Sequence, residues 1–125
     1  MFLKDFYTVE NIRALSAESY QVQIRLNPHH DIFHGHFPNN PVTPGVCMIQ
    51  IIKDLSETLT GQQLFLAKSS NVKFMAIINP FENPVLDLTL SVQLDQPGTV
   101  RVKNVTTFEQ TVALKLTNVY KIITT

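Results

Sequence analysis

Phe33-His34-Gly35-His36-Phe37-Pro38-Asn39-Asn40-Pro41-Val42-Thr43-Pro44-Gly45-Val46 is the stretch on which the reading of this chain turns. Pro38, Pro41 and the Asn39-Asn40 pair interrupt any regular element, so His29 to Thr43 reads as a loop, and it holds all four histidines of the chain. Pro44-Gly45 then opens a segment that Gly61 closes. From Val46 to Ile52 this segment is apolar on nearly every side, Gln50 apart, and a helix of that composition is expected to be buried all round. Lys53, Asp54, Glu57 and Thr58 mark the turns that emerge into solvent. The pattern is that of one helix entering a core head first.

Outward from the helix, the chain reads mostly as strands. Ser19 to Asn27 alternates, with Tyr20, Val22, Ile24 and Leu26 on one face and Gln21, Gln23 and Arg25 on the other, until Pro28 stops it. After the helix, Val72, Phe74 and Ala76 flank Lys73 in the same way. Asn79-Pro80 and Asn83-Pro84 are turn signals, and Leu86, Leu88, Leu90, Val92 and Leu94 form a longer alternation. Pro97-Gly98 separates this from two further strands, Thr99 to Phe108 and Thr111 to Ile123. Val9 to Leu15 reads as a short helix. The sum is an α+β chain, one buried helix against about five mostly antiparallel strands. A curved antiparallel sheet around a central helix is a hot-dog fold.

The chain has 125 residues and 44% hydrophobic content, which suits a single domain over 1–125 with one core. Charged residues are only 16%, which argues against disorder. Lys plus Arg and Asp plus Glu balance at 10 each, giving no push toward nucleic acid or an anionic membrane. No apolar run approaches the roughly 20 residues that span a bilayer. Residues 1–5 show no basic region ahead of an apolar stretch, so no signal peptide is read, and the cytoplasm is the expected compartment. The lone Cys47 excludes an internal disulfide framework and reads as a small buried residue.

The stretch quoted first closely resembles the active-site signature of bacterial β-hydroxyacyl-acyl-carrier-protein dehydratases, in which Gly-His-Phe-Pro is followed by a Pro-Val-x-Pro-Gly-Val turn into the central helix. The match over 33–46 is ungapped and rich in Gly and Pro, and the flanking strands extend it to about residues 6–123. The resemblance implies a hot-dog fold whose antiparallel sheet wraps a central helix. It implies His36 as the catalytic histidine, and a thioester beside the Gly45-Val46 end of the helix. Gly35, Phe37 and Pro44 are expected to shape the substrate site. Phe33 and Phe37 are either core or acyl-tunnel lining. The implied partners are an acyl carrier protein, presenting its chain on phosphopantetheine, and a second copy of the chain, in a homodimer or larger homo-oligomer. No cofactor, metal, nucleic acid or membrane is implied.

The motif also makes chemical sense. Dehydration of a β-hydroxyacyl thioester needs a base for the α-proton, an acid for the leaving hydroxyl, and donors for the thioester oxygen. Histidine's reference pKa of about 6.5 suits His36 to act as a base near neutral pH, and free helix N–H groups at Gly45 and Val46 favour developing negative charge. The departure lies five residues after the glycine of the Pro-Gly turn, where the family carries an acid and this chain carries Gln50. One turn on, where the family often has glutamine, stands Asp54. Acid and amide are exchanged on one helix face, about 6 Å apart along the axis. Gln50 could bind the hydroxyl, and Asp54 is the candidate for the missing acid, against the plainer reading of a solvated residue ending the buried part of the helix.

The expected function is therefore a dehydratase-like protein acting on acyl thioesters in fatty-acid or related lipid or polyene synthesis. The alternatives are a non-catalytic acyl-thioester-binding or partner subunit, and a hot-dog thioesterase. His29, His30 and His34 read as loop residues, and a metal site from His34, His36 and Asp31 lacks any established ligand spacing. Lys73, Arg25 and Lys68 are basic residues that could meet an acidic carrier.

Overall fold

The computed structural model of the chain describes residues 3–34 and 41–124, and the backbone but not the side chain of Gln96. Six strands and one long helix follow in order: β1 (Tyr7–Ala14), β2 (Ser19–Leu26), α1 (Gly45–Thr60), β3 (Leu64–Phe74), β4 (Val85–Gln96), β5 (Thr99–Phe108) and β6 (Thr111–Ile122). A short 3-10 turn, Asp31–Phe33, interrupts the expected loop after β2. The strands form a single sheet in the order β1-β2-β4-β5-β6-β3, with every neighbouring pair antiparallel. The α+β, hot-dog architecture is thus present, with six strands rather than five.

Alternation explains the sheet. Val22 and Ile24 on β2 lie opposite Leu88 and Leu86 on β4, and all four are fully buried. Val100 and Val102 on β5 face Tyr120 and Asn118 on β6, again on the inner side. Polar residues on that face are tied down: Thr106 donates to Asn104 Oδ1 at 2.9 Å, and Asn118 Nδ2 donates to the Tyr120 hydroxyl at 2.8 Å. Onto this face α1 lays Cys47, Met48, Ile51, Ile52, Leu55 and Ser56, a stripe at helical spacing.

Two expectations are corrected. Val9 to Leu15 is not a helix: Val9 to Ala14 is most of β1, and Leu15 follows its end. Val9 lies opposite Ile24 and Ile12 opposite Val22, and a bulge between Val9 and Asn11 separates them. The extra residue turns a spacing of two into a spacing of three, which imitates a helical stripe. Nor is α1 buried on all sides. Val46 is 67% exposed, while Ile49 and Gln50 are half-buried, so the helix has one open flank even in its apolar turns.

β3 is also longer than the Val72 to Ala76 segment read from sequence, and it ends at Phe74. It pairs only with β6 and carries two register shifts, between Leu66 and Lys68 and between Ser70 and Lys73. Asn71, in the second shift, has a positive φ of 53°, a conformation that asparagine tolerates better than most residues. Gly61 ends α1 in the left-handed region (φ 68°), its N–H donating to Glu57 O at 2.8 Å.

Candidate active site at the start of the central helix

Pro44 is the N-cap of α1 and offers no side-chain hydrogen bond to the helix. The first N–H groups that reach back are those of Cys47 and Met48, both to Pro44 O, at 3.0 and 3.3 Å. Those of Gly45 and Val46 precede them at the positive end of the helix dipole, and no acidic side chain occupies the first turn. The Thr43 N–H donates to Ile78 O at 2.9 Å, which fixes the helix entry against the segment following β3.

A cavity of about 260 Å³ opens at this point. Among the described residues it is lined by 42–45 and Met48 on the helix side, and by Phe74 and 76–78 on the other. Gly45 lets the Phe74 ring close over the helix start. A Cβ there would stand 2.7 Å from Cζ of Phe74, so the ring lies directly over the helix start. The lining is apolar but for Thr43, which suits a hydrocarbon chain with a polar group at the helix terminus.

Gln50 and Asp54 lie on the open flank of α1, and the structure brings them together. Gln50 Nε2 donates to Asp54 Oδ1 at 2.9 Å, and the Tyr7 hydroxyl donates to Asp54 Oδ2 at 3.1 Å. Asp54 is thus half-buried, with a donor on each oxygen, rather than a solvated residue ending the buried part of the helix. Tyr7 is a site residue that sequence reasoning missed. It lies at the start of β1, opposite Leu26, and nothing in its local pattern marks it. Burial first, and then the charge and hydrogen bond of Asp54, hold the Tyr7 phenol far above its ordinary value of 10.0, so it stays a donor.

His36, Gly35 and Phe37 lie outside the described residues. Phe33 belongs to the core, stacked on Phe6 with ring centroids 5.2 Å apart, and is not among the described lining of the cavity. Pro44 and Gly45 are lining residues, whereas Val46 is on the exposed flank. His30 Nε2 contacts Lys4 O at 2.8 Å, and His34 Nδ1 is 3.7 Å from Asp31 Oδ1. Among the described residues no group of three His, Cys, Asp or Glu side chains is placed to hold a metal. Cys47 is buried, and burial pushes its thiol up, away from a reactive thiolate. No helix among the described residues is long and apolar enough to cross a membrane.

The single antiparallel sheet with its central helix defines a hot-dog fold. The model of the ApeI-like family, described as ApeI dehydratase, matches residues 12–116, and the chain belongs to that family. Among curated relatives, a 3-hydroxyacyl-[acyl-carrier-protein] dehydratase FabZ of Lactiplantibacillus plantarum is 31% identical over 91 residues, covering 67% of this chain and 62% of the relative. A dehydratase of the same name from Novosphingobium aromaticivorans is 38% identical over 78 residues, covering 61% and 44%. The chain spans about half to two thirds of the length of the curated relatives it matches. Among solved structures, the dehydratase heterocomplex ApeI:P from Xenorhabdus doucetiae superposes with a TM-score of 0.70 at 22% identity, covering 94% of this chain and 97% of that one. A hypothetical thioesterase with coenzyme A from Streptococcus pneumoniae gives 0.69 at 12% identity, covering 97% and 90%. These two likenesses concern the fold.

Proposed function

We propose that this protein dehydrates β-hydroxyacyl thioesters carried on the phosphopantetheine of an acyl carrier protein, in fatty-acid or related lipid synthesis in the cytoplasm. The observation that carries the reading is the start of α1, with no side-chain cap, opening on an apolar cavity in a chain of the ApeI-like dehydratase family. The thioester oxygen sits against the Gly45 and Val46 N–H groups, where charge develops as the α-proton leaves. His36 takes that proton. The electron pair moves into the new C–C double bond, and the β-hydroxyl departs as water once protonated. Gln50 holds the hydroxyl, and Asp54 is the candidate proton source one turn away.

Gln50 at the place of the family's acid, hydrogen-bonded to Asp54, supports a second reading: a subunit that binds the thioester and serves an active partner. Incubation of the purified protein and of Gln50→Glu with a β-hydroxyacyl carrier substrate separates the two. Enoyl product from the wild type is the expected result. Product from Gln50→Glu alone favours the binding subunit, and product from neither overturns the dehydratase reading.

The chain acts as at least a homodimer. β3 leaves one side without a neighbouring strand and exposes Phe65 and Phe74, while Val46 is bare on the adjacent helix. Unpaired edges and apolar surface of this kind associate. Light scattering at micromolar concentration is expected to give twice the 14.2 kDa of one chain, and a mass of one chain contradicts the dimer. For the carrier, Arg25 is already engaged by Glu10 at 2.6 Å, which leaves Lys68 and Lys73, both exposed on β3, as the better candidates of the three basic residues.

A further inference from the structure

β3, β6 and β5 lie side by side in the sheet. The residues they turn away from α1 include Lys68 and Lys73 on β3, Lys115 and Lys121 on β6, and Arg101 and Lys103 on β5. These are six of the 10 Lys and Arg residues of the chain, and no Asp or Glu stands on that face of the three strands. Asp95, near the end of β4, engages Arg101 at 2.7 Å. The five lysines are exposed and form no ion pair among the described residues. Because the formal net charge is zero, the chain is positive on this face and negative over the remainder.

The lysines are densest at one end. Lys73 lies directly opposite Lys115, Lys115 lies opposite Val105, and Lys103 is two residues from Val105 on the same face. From strand spacing and rise, Lys115 is rooted about 5 Å from Lys73 and about 8 Å from Lys103. Like charges directly opposite in an antiparallel pair destabilise it, and Lys73 with Lys115 is such a pair. Phe74, the next residue along β3, turns to the other face and covers the helix start at Gly45. The lysine cluster therefore backs directly on a wall of the cavity.

A destabilising cluster kept beside a binding cavity fits a partner that brings the missing negative charge. The sheet curves around α1, so this outer face is convex, and a flat anionic surface touches only its middle. A folded acidic protein can lie against it over several strands. We propose that Lys73, Lys115 and Lys103, flanked by Lys68, form the docking surface for the acyl carrier protein. Its carboxylates meet the lysines while its arm passes round the end of β3 to the cavity. This rests on the carrier-borne thioester reading of the cavity. Register with β6 and β5 adds Lys115 and Lys103 to the two β3 lysines and makes one surface of them.

The test uses hexanoyl groups on acyl carrier protein and on pantetheine alone, which has neither carboxylate nor phosphate. Neither species has a 3-hydroxyl, so neither is dehydrated, and calorimetry reads binding. The wild type is expected to bind hexanoyl carrier about tenfold more tightly than hexanoyl pantetheine at low salt, an advantage that shrinks in about 0.5 M salt. Lys73→Glu/Lys115→Glu removes the advantage, and Arg13→Glu, the same charge change on β1, keeps it. If that double reversal does not fold, Lys73→Gln/Lys115→Gln takes its place. Lys115→Glu alone is expected to weaken carrier binding while melting about 1–4 °C higher, because an opposite pair replaces a like one. A lower melting temperature shows that Lys115 serves the fold, and overturns the proposal. If the two hexanoyl species bind alike, or the double variant keeps the carrier advantage, the docking surface falls and the acyl-thioester reading stands. Lysine-dependent binding to phosphatidylglycerol vesicles or duplex DNA, with no preference for the carrier, also overturns it. If neither hexanoyl species binds at millimolar concentration, the acyl-thioester reading falls and takes the proposal with it.

Discussion

Replacing His36 with alanine is expected to lower kcat for dehydration about 10²- to 10⁴-fold, the range for loss of a general base. His36 has the reference titration range suited to removing an α-proton near neutral pH, and it sits in the Gly-His-Phe-Pro run that marks the family's active site. Other described groups near the helix start are poor substitutes. The Cys47 thiol is buried and pushed up, the Tyr7 phenol is held as a donor to Asp54, and Thr43 has no base beside it. The measurement is enoyl formation from a β-hydroxyacyl carrier substrate, with thermal melting in parallel to show that the variant is folded. A folded variant with wild-type turnover removes His36 from the mechanism.

Asp54→Asn is expected to lower kcat about 10²-fold, as for loss of a proton donor in a positioned site. Asp54 is the carboxylate one turn from Gln50, and a 2.9 Å hydrogen bond joins the two side chains. Two roles make different demands. As proton source, Asp54 is irreplaceable by an amide, and a carboxyl restored at position 50 should rescue: Gln50→Glu combined with Asp54→Asn recovers rate. As a mere anchor for the Gln50 amide, Asp54 is largely replaced by Asn, whose oxygen accepts the same hydrogen bond, and the rate changes little. Tyr7→Phe serves as a control. It removes one donor and leaves the carboxyl, so its effect should stay within about fivefold, the scale of one neutral hydrogen bond. An unchanged kcat in Asp54→Asn eliminates the carboxyl as the source and leaves a water held by Gln50.

Regular alternation made β2, β4, β5 and β6 legible, because each has one face on the core and each keeps its register over most of its length. β1 and the first half of β3 were not legible, for a shared reason. Both are edge strands with bulges, and a bulge moves the inward residues out of step. Leu64, Leu66 and Ser69 share one face of β3, yet their spacing changes from two to three between Leu66 and Ser69. The helix limits were plain from Pro44-Gly45 and Gly61, but the apolar content of its first turns concealed an open flank at Val46. At the site, the helix terminus and the Gln50–Asp54 pairing followed from spacing along one element. Tyr7 did not: it reaches Asp54 across 47 positions of sequence, a fact of tertiary packing.

The proline that begins α1 has a dynamic consequence. A helix whose first turn has neither a capping side chain nor an acidic residue is held there by its backbone hydrogen bonds and packing, with no cap to reinforce them. Its first turn therefore opens at lower free energy than the turns carrying Ile51, Ile52 and Leu55, which are sealed in the core. Amide hydrogens of Gly45 and Val46 should exchange with solvent well ahead of those of Ile52 and Leu55. A ligand oxygen accepting from them would slow that exchange, so occupancy of the cavity and order of the turn beside it rise together.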